Sequence, residues 1–164
     1  MSTRRVISRQ VARVLLLDAS DRLLLFWAQD RKDPTNEAYW YLPGGGMQPG
    51  ESPEGAARRE LLEEAGIEVA DLGPVVLHRI GVRFHFEGQD FEQDEWLVIG
   101  RWPDGRIGPG PQDDVEAAAV AAHRWWSVDD LHTSQESIYP RDLPSILDRL
   151  LLEGAPSIPW EMVG

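Results

Sequence analysis

Apolar and polar positions change their period several times along this chain, and each change predicts an element. Val11–Leu17 is a dense run of Val and Leu closed by Asp18, Ala19, Ser20 and Asp21, a turn composition. Leu23–Ala28 is a second short apolar run, so the pair predicts a β-hairpin. Gln29–Ala38 is polar and interrupted by Pro34, which predicts a loop, and Tyr39–Leu42 predicts a short strand feeding a glycine loop at 44–46. From Ser52 the period becomes helical. Ser52 suits an N-cap, Pro53 the first helical position, Glu54 the positive end of the helix dipole, and Gly66 the stop. Val75–Phe86 and Phe91–Trp102 predict two long strands joined by a turn at 87–90. Pro103–Gln112 reads as a Gly/Pro surface loop and His123–Trp126 as one more strand; Ser127–Asp130 resembles a capping box opening a short helix. An amphipathic helix over about 143–153, with Ile146, Leu147, Leu150 and Leu151, ends at Gly154, and the tail after Pro156 is either loose or docked through Trp160. Strands and helices linked mostly by hairpins predict one α+β domain over residues 1–164.

The helix from Ser52 carries the candidate chemistry. At 100° per residue Glu60, Glu63 and Glu64 share one face, while Leu61, Leu62 and Ala65 group on another. Solvated helix glutamates with an Arg59–Glu63 pair four residues apart would be worth only tenths of a kcal/mol. Three neighbouring carboxylates repel one another unless a cation lies among them, and hard oxygen ligands suit Mg²⁺ or Mn²⁺. The preceding Pro43, Gly44, Gly45 and Gly46 let the backbone approach such an ion and offer it a carbonyl.

Gly45, Glu51, Arg59, Glu60, Leu61, Glu63, Glu64, Gly66 and Ile67 fit G-x5-E-x7-R-E-U-x-E-E-x-G-U, with U a bulky aliphatic. Seven fixed identities coincide by chance on the order of once in 10⁹ windows. On these residues the chain resembles the Nudix hydrolases. The resemblance implies an α/β/α sandwich on a mixed sheet and Mg²⁺-dependent hydrolysis of a nucleoside diphosphate linked to another moiety. It implies Glu60 and Glu64 as metal ligands, Glu63 as a ligand directly or through water, and the Gly44 carbonyl completing the shell. Arg59 would orient the carboxylates, with Glu51 acting behind it.

Family members recruit the general base from different places, so the box carboxylates Glu63 and Glu64, the strand residue Glu95 and the loop residue Glu116 all stand as candidates, with Asp113 and Asp114 weaker. Trp40, Trp125 and Trp126 are expected in the core. Trp27, Tyr39, Phe84 and Phe86 are read as core residues that could instead stack on a nucleobase. The four histidines lack zinc spacing. The proline expected of ADP-ribose hydrolases is missing around Gly81–Arg83, and the tyrosine expected of dinucleoside polyphosphate hydrolases is missing around His85. The coenzyme A and NADH motifs are also absent. A nucleoside triphosphate or a nucleotide sugar remains. The alternative from another class is a non-catalytic nucleotide-binding or regulatory protein on the same fold, which usually loses box carboxylates; a pyrophosphate-coupled isomerase would want another glutamate spacing and more histidines.

Composition narrows the partners. A net charge of −12 and pI near 4.7 argue against a duplex nucleic acid or a membrane surface and for a small-molecule substrate, and leave room for a homodimer. The absence of cysteine excludes disulfides and thiolate chemistry and is compatible with the cytoplasm. Ser2–Ser8 resembles a twin-arginine signal, but Arg13 and Asp18 break the apolar stretch that should follow, so a cytoplasmic protein is expected.

Overall fold

The strand β1 (Val6–Leu17) is the spine of the molecule. A computed structural model describes residues 5–33, 35, 37–107 and 122–164. The elements after β1 are β2 (Leu23–Ala28), β3 (Tyr39–Tyr41), β4 (Gly44–Gly46), α1 (Pro53–Ala65), β5 (Val75–Phe86), β6 (Gln89–Arg101) and β7 (His123–Trp126). They are followed by α2 (Val128–Thr133), β8 (Ser137–Tyr139), α3 (Leu143–Glu153) and β9 (Trp160–Val163). The strands form one mixed sheet in the order β8-β3-β2-β1-β6-β5-β9, with β4 paired to β1 and β7 to β2. β1 runs parallel to β6 over its whole length, from Val6 opposite Asp90 to Leu17 opposite Arg101.

Alternation along β1 explains why helices cover both faces. Ala12, Val14 and Leu16 point to α1, where Ala56, Ala57, Leu61 and Ala65 close a core with Leu24, Phe26 and Val98. Leu15 and Leu17 point the other way, into a second core with Leu23, Leu25, Trp126 and the Leu143, Ile146, Leu147 and Leu150 face of α3. This is the expected α+β sandwich.

Several expectations change in detail. β1 starts five residues before Val11, because pairing with β6 extends the strand through the polar Ser8–Gln10. The turn expected at 87–90 narrows to Glu87 and Gly88, both at positive φ of 49° and 80°, the geometry that matches strand twist in a two-residue hairpin. The glycine run is a strand rather than a loop, with Gly44, Gly45 and Gly46 opposite Arg13, Ala12 and Val11. The tail docks as an edge strand, β9, with Trp160 opposite Leu77 in parallel, and β8 pairs in parallel with β3. Residues 108–112 of the loop expected at Pro103–Gln112, and all of Asp113, Asp114 and Glu116, lie outside the described residues. Among the described residues no helix is long and apolar enough to cross a membrane.

Candidate active site

α1 starts and stops where its sequence says it should. Ser52 Oγ accepts from the Gly55 amide at 3.1 Å. At the other end Gly66 takes the left-handed conformation at φ 64°, and the Gly66 and Ile67 amides donate to the Leu62 and Leu61 carbonyls at 3.1 and 3.3 Å. Packed by its apolar stripe against β1, α1 also lies along β4, which pairs with β1 in the same sheet.

That contact is close because β4 is glycine. A β-carbon built on Gly45 would lie 2.6 Å from Glu60 Oε1, and one on Gly44 would lie 2.0 Å from the Ala12 carbonyl oxygen. The Gly44 amide donates to Glu64 Oε2 at 3.4 Å, while the Gly44 carbonyl accepts from Arg13 Nη1 at 3.3 Å. Of Glu60, Glu63 and Glu64, the fold brings Glu60 and Glu64 together. Burial, then the neighbouring Glu60, pushes the Glu64 carboxyl up to about 8; Arg13 and the Gly44 amide offset part of this. Glu63 is turned outward, with its side chain 47% exposed and 3.4 Å from Arg59.

Arg59 organises the rest. Its Nε and Nη2 donate to the two oxygens of Glu51, both at 2.9 Å, in a bidentate pair. Nη1 reaches Glu60 Oε1 at 2.9 Å, and Nη2 also reaches the Gly46 carbonyl at 3.0 Å. Glu51 accepts in addition from the Gln48 amide at 2.7 Å. The Arg59 guanidinium, then the Gln48 amide, hold the Glu51 carboxyl down at about 2. The unfolded value is about 4.3, so Glu51 contributes stability that is full above about pH 5 and is lost as pH falls toward 2. Glu51→Gln is therefore expected to be less stable than the parent near neutrality, with the gap closing in acid. Denaturant titrations from pH 7 down to 3 check this, and a gap independent of pH would refute it.

Glu95, 7% exposed, points neither to solvent nor to α1. It pairs with Arg79 and with Arg13 Nε at 3.5 Å, and accepts from Gln93 Nε2 at 2.8 Å. Arg9, on the same face of β1, donates to Gln93 Oε1 at 2.7 Å. Sequence reasoning passed over Arg9, Arg13 and Arg79. The available signal was Arg13, a charge at an inward position of an apolar strand.

The aromatic residues divide. Trp126 is fully buried, with Trp40 edge-on at 5.3 Å between centroids, and Trp125 packs against the α1-side core. Phe84 stacks on Phe91 at 4.9 Å, whereas Tyr39 gathers Tyr41, Phe86 and Tyr139 at 5.9, 6.4 and 5.5 Å. Trp27 is 37% exposed. The histidines are dispersed, with His78 stacked on Trp96 and His85 and His132 against Asp90 and Asp148. Among the described residues no three His, Asp or Glu side chains form a ready metal cage.

The family model for the NUDIX domain matches residues 8–148, which takes in the α1-side core, most of the other core, the glycine strand and α1. The chain belongs to the Nudix family. An RNA pyrophosphohydrolase of Erythrobacter litoralis is 44% identical over 68 residues, 42% of this chain and 39% of that protein. Human diphosphoinositol polyphosphate phosphohydrolase 2 is 62% identical over 60 residues, 37% of this chain and 29% of that protein. The matched segments thus span well under half the length of these Nudix relatives. Among solved structures, the MutT protein of Methanosarcina mazei superposes with a TM-score of 0.62 at 20% identity, over 90% of this chain and 97% of that one. That likeness shows the shared Nudix fold.

Proposed function

We propose that this Nudix chain is a divalent-metal-dependent pyrophosphohydrolase that cleaves the diphosphate linkage of nucleotide derivatives. The observation that carries the reading is the meeting of Glu60 and Glu64 on α1 against a strand made of glycine. Two relatives named as a pyrophosphohydrolase and a phosphohydrolase support the reaction class.

The donors fit a hard cation. They are carboxylate oxygens, and one pair is held together at a cost that a cation would offset. Glu60 and Glu64 would hold Mg²⁺ or Mn²⁺, with Glu63 joining directly or through water and the Gly44 carbonyl as a further oxygen. When bound, the ion neutralises diphosphate charge and makes a bound water more acidic.

The chain's own residues position and transfer. Arg59 fixes the Glu60 carboxylate from one side, and Glu51 keeps the guanidinium plane in place from behind. The Gly44 amide orients Glu64. Glu63, exposed and with one long ion pair, is the freest of Glu60, Glu63 and Glu64 to take a proton from the attacking water. Tyr39 and its ring neighbours offer a face on which a nucleobase can stack. The acidic, cysteine-free composition supports work in the cytoplasm on small substrates.

Incubation of the purified protein with Mg²⁺ and a panel of nucleotides, dinucleotides and nucleotide sugars is expected to release phosphate, pyrophosphate or a nucleoside monophosphate from at least one class, and to stop on chelation. Binding without turnover across the panel would favour the non-catalytic reading.

A further inference from the structure

One cluster lies beside the α1 carboxylates and is not absorbed by the hydrolytic reading. In the register of β1, β6 and β5, Val11, Glu95 and Arg79 stand in one row across the sheet. Arg9 and Arg13 flank that row on the same face, because they lie two residues either side of Val11. Arg13 and Arg79 thus pair with Glu95 directly and Arg9 reaches it through Gln93, and Glu95 is the one carboxylate bonded to the group among the described residues, in a chain whose net charge is −12.

The cluster is short of acceptors. Arg79 Nε is buried and has no hydrogen-bond partner among the described residues. Burial first, then the charge of Arg13, lowers the pKa of Arg9, while Glu95 acts the other way. Rings brace two of the guanidiniums, with Arg9 4.7 Å from the Phe91 centroid and Arg13 5.8 Å from that of Tyr41. A fixed group of guanidiniums with two positive charges in excess suits phosphate oxygens, which take bidentate N–H donors. Arg13 places the group next to the candidate metal site, since it bonds the Gly44 carbonyl while the Gly44 amide faces Glu64.

We propose that Arg9, Arg13 and Arg79, held in place by Glu95 and Gln93, bind a phosphate group of the substrate additional to the diphosphate that is cleaved. The preferred substrates then carry at least three phosphates, and nucleotide sugars, which carry two, are poor ones. In this arrangement Glu95 is a positioning residue: it keeps the guanidiniums apart and oriented, and the proton acceptor lies elsewhere. The proposal deepens the pyrophosphohydrolase reading, and its test has one arm that needs no turnover.

In that arm, inorganic tripolyphosphate is titrated calorimetrically into the full chain in excess EDTA. The parent is expected to bind, and Arg9→Gln and Arg79→Gln at least tenfold more weakly. A parent that ignores tripolyphosphate, or variants that bind it equally well, would overturn the anion site whatever the enzyme hydrolyses. In the second arm, the ratio of kcat/KM for a nucleoside triphosphate over that for a nucleotide sugar is expected to fall at least tenfold in either variant. An unchanged ratio overturns the substrate assignment. Tripolyphosphate binding lost in the variants, without hydrolysis of any nucleotide, would instead retain the site and refute the pyrophosphohydrolase reading. Melting curves exclude unfolding; if Arg79→Gln proves unstable, Arg9→Gln, whose side-chain bond goes to Gln93 alone among those described, carries both arms.

Discussion

Glu64→Gln is expected to lower kcat by about 10³-fold while leaving the protein folded. A metal held at the site supplies several kcal/mol of stabilisation to the transition state, and about 1.4 kcal/mol corresponds to a factor of ten in rate. Loss of one of the two α1 carboxylates that meet at the site therefore removes most of that effect. The fold does not depend on the lost charge. Glu64 is disfavoured as an anion by burial and by Glu60, and the amide keeps nearly the same shape while its oxygen still accepts from Gly44. Melting of the metal-free variant should occur at or above the parent temperature. A variant that retained parental kcat would refute the assignment of Glu64 to the metal site. One that unfolded would show that the carboxylate is structural.

Gly44→Ala is expected to destabilise the fold by about 2–6 kcal/mol, adding about 1–3 for a strained backbone to a similar figure for overpacking. Gly44 sits at φ 142°, and its new β-carbon would lie 2.0 Å from the Ala12 carbonyl oxygen and 2.9 Å from Arg13 Cα. These atoms belong to β1, the spine of the sheet, and cannot turn aside as a side chain can. Against a usual total of about 5–15 kcal/mol this is a large loss, and it also pulls the amide away from Glu64. Gly45→Ala separates the two effects. Its β-carbon meets Glu60 Oε1 at 2.6 Å and Glu60 Cδ at 2.7 Å, the far end of a side chain that can move. That variant should stay folded and lose about 10–100-fold in activity as Glu60 is displaced. Denaturant titration and initial rates check the pair; a Gly44→Ala change below about 1 kcal/mol would refute the close approach of β4 to β1.

The legible parts of this structure are those whose signals are local. α1 could be bounded to the residue, because Ser52 and Gly66 act on backbone groups within one turn of themselves. The α2 capping box is of the same kind. β8 and β9 were not legible. They are three and four residues long and become strands only by parallel pairing with β3 and β5, whose partners lie far away in the chain. The glycine run looked like a loop for a related reason, since nothing in Gly44–Gly46 itself favours a strand and only β1 makes it one.

The candidate site divides along the same line. By itself the sequence determined the family, the helix, and the common face of Glu60, Glu63 and Glu64, because spacing along a helix is set by its 3.6-residue turn. Tertiary structure alone decided which of those carboxylates meet. Arg59, tied to Glu51, draws Glu63 outward, and the glycine strand presses against Glu60 and Glu64. It likewise decided the surroundings of Glu95, a strand glutamate by sequence that becomes the centre of an arginine cluster. Arg13 reaches Glu95 from 82 residues away, and that meeting depends on the parallel register of β1 against β6, which neither strand specifies alone.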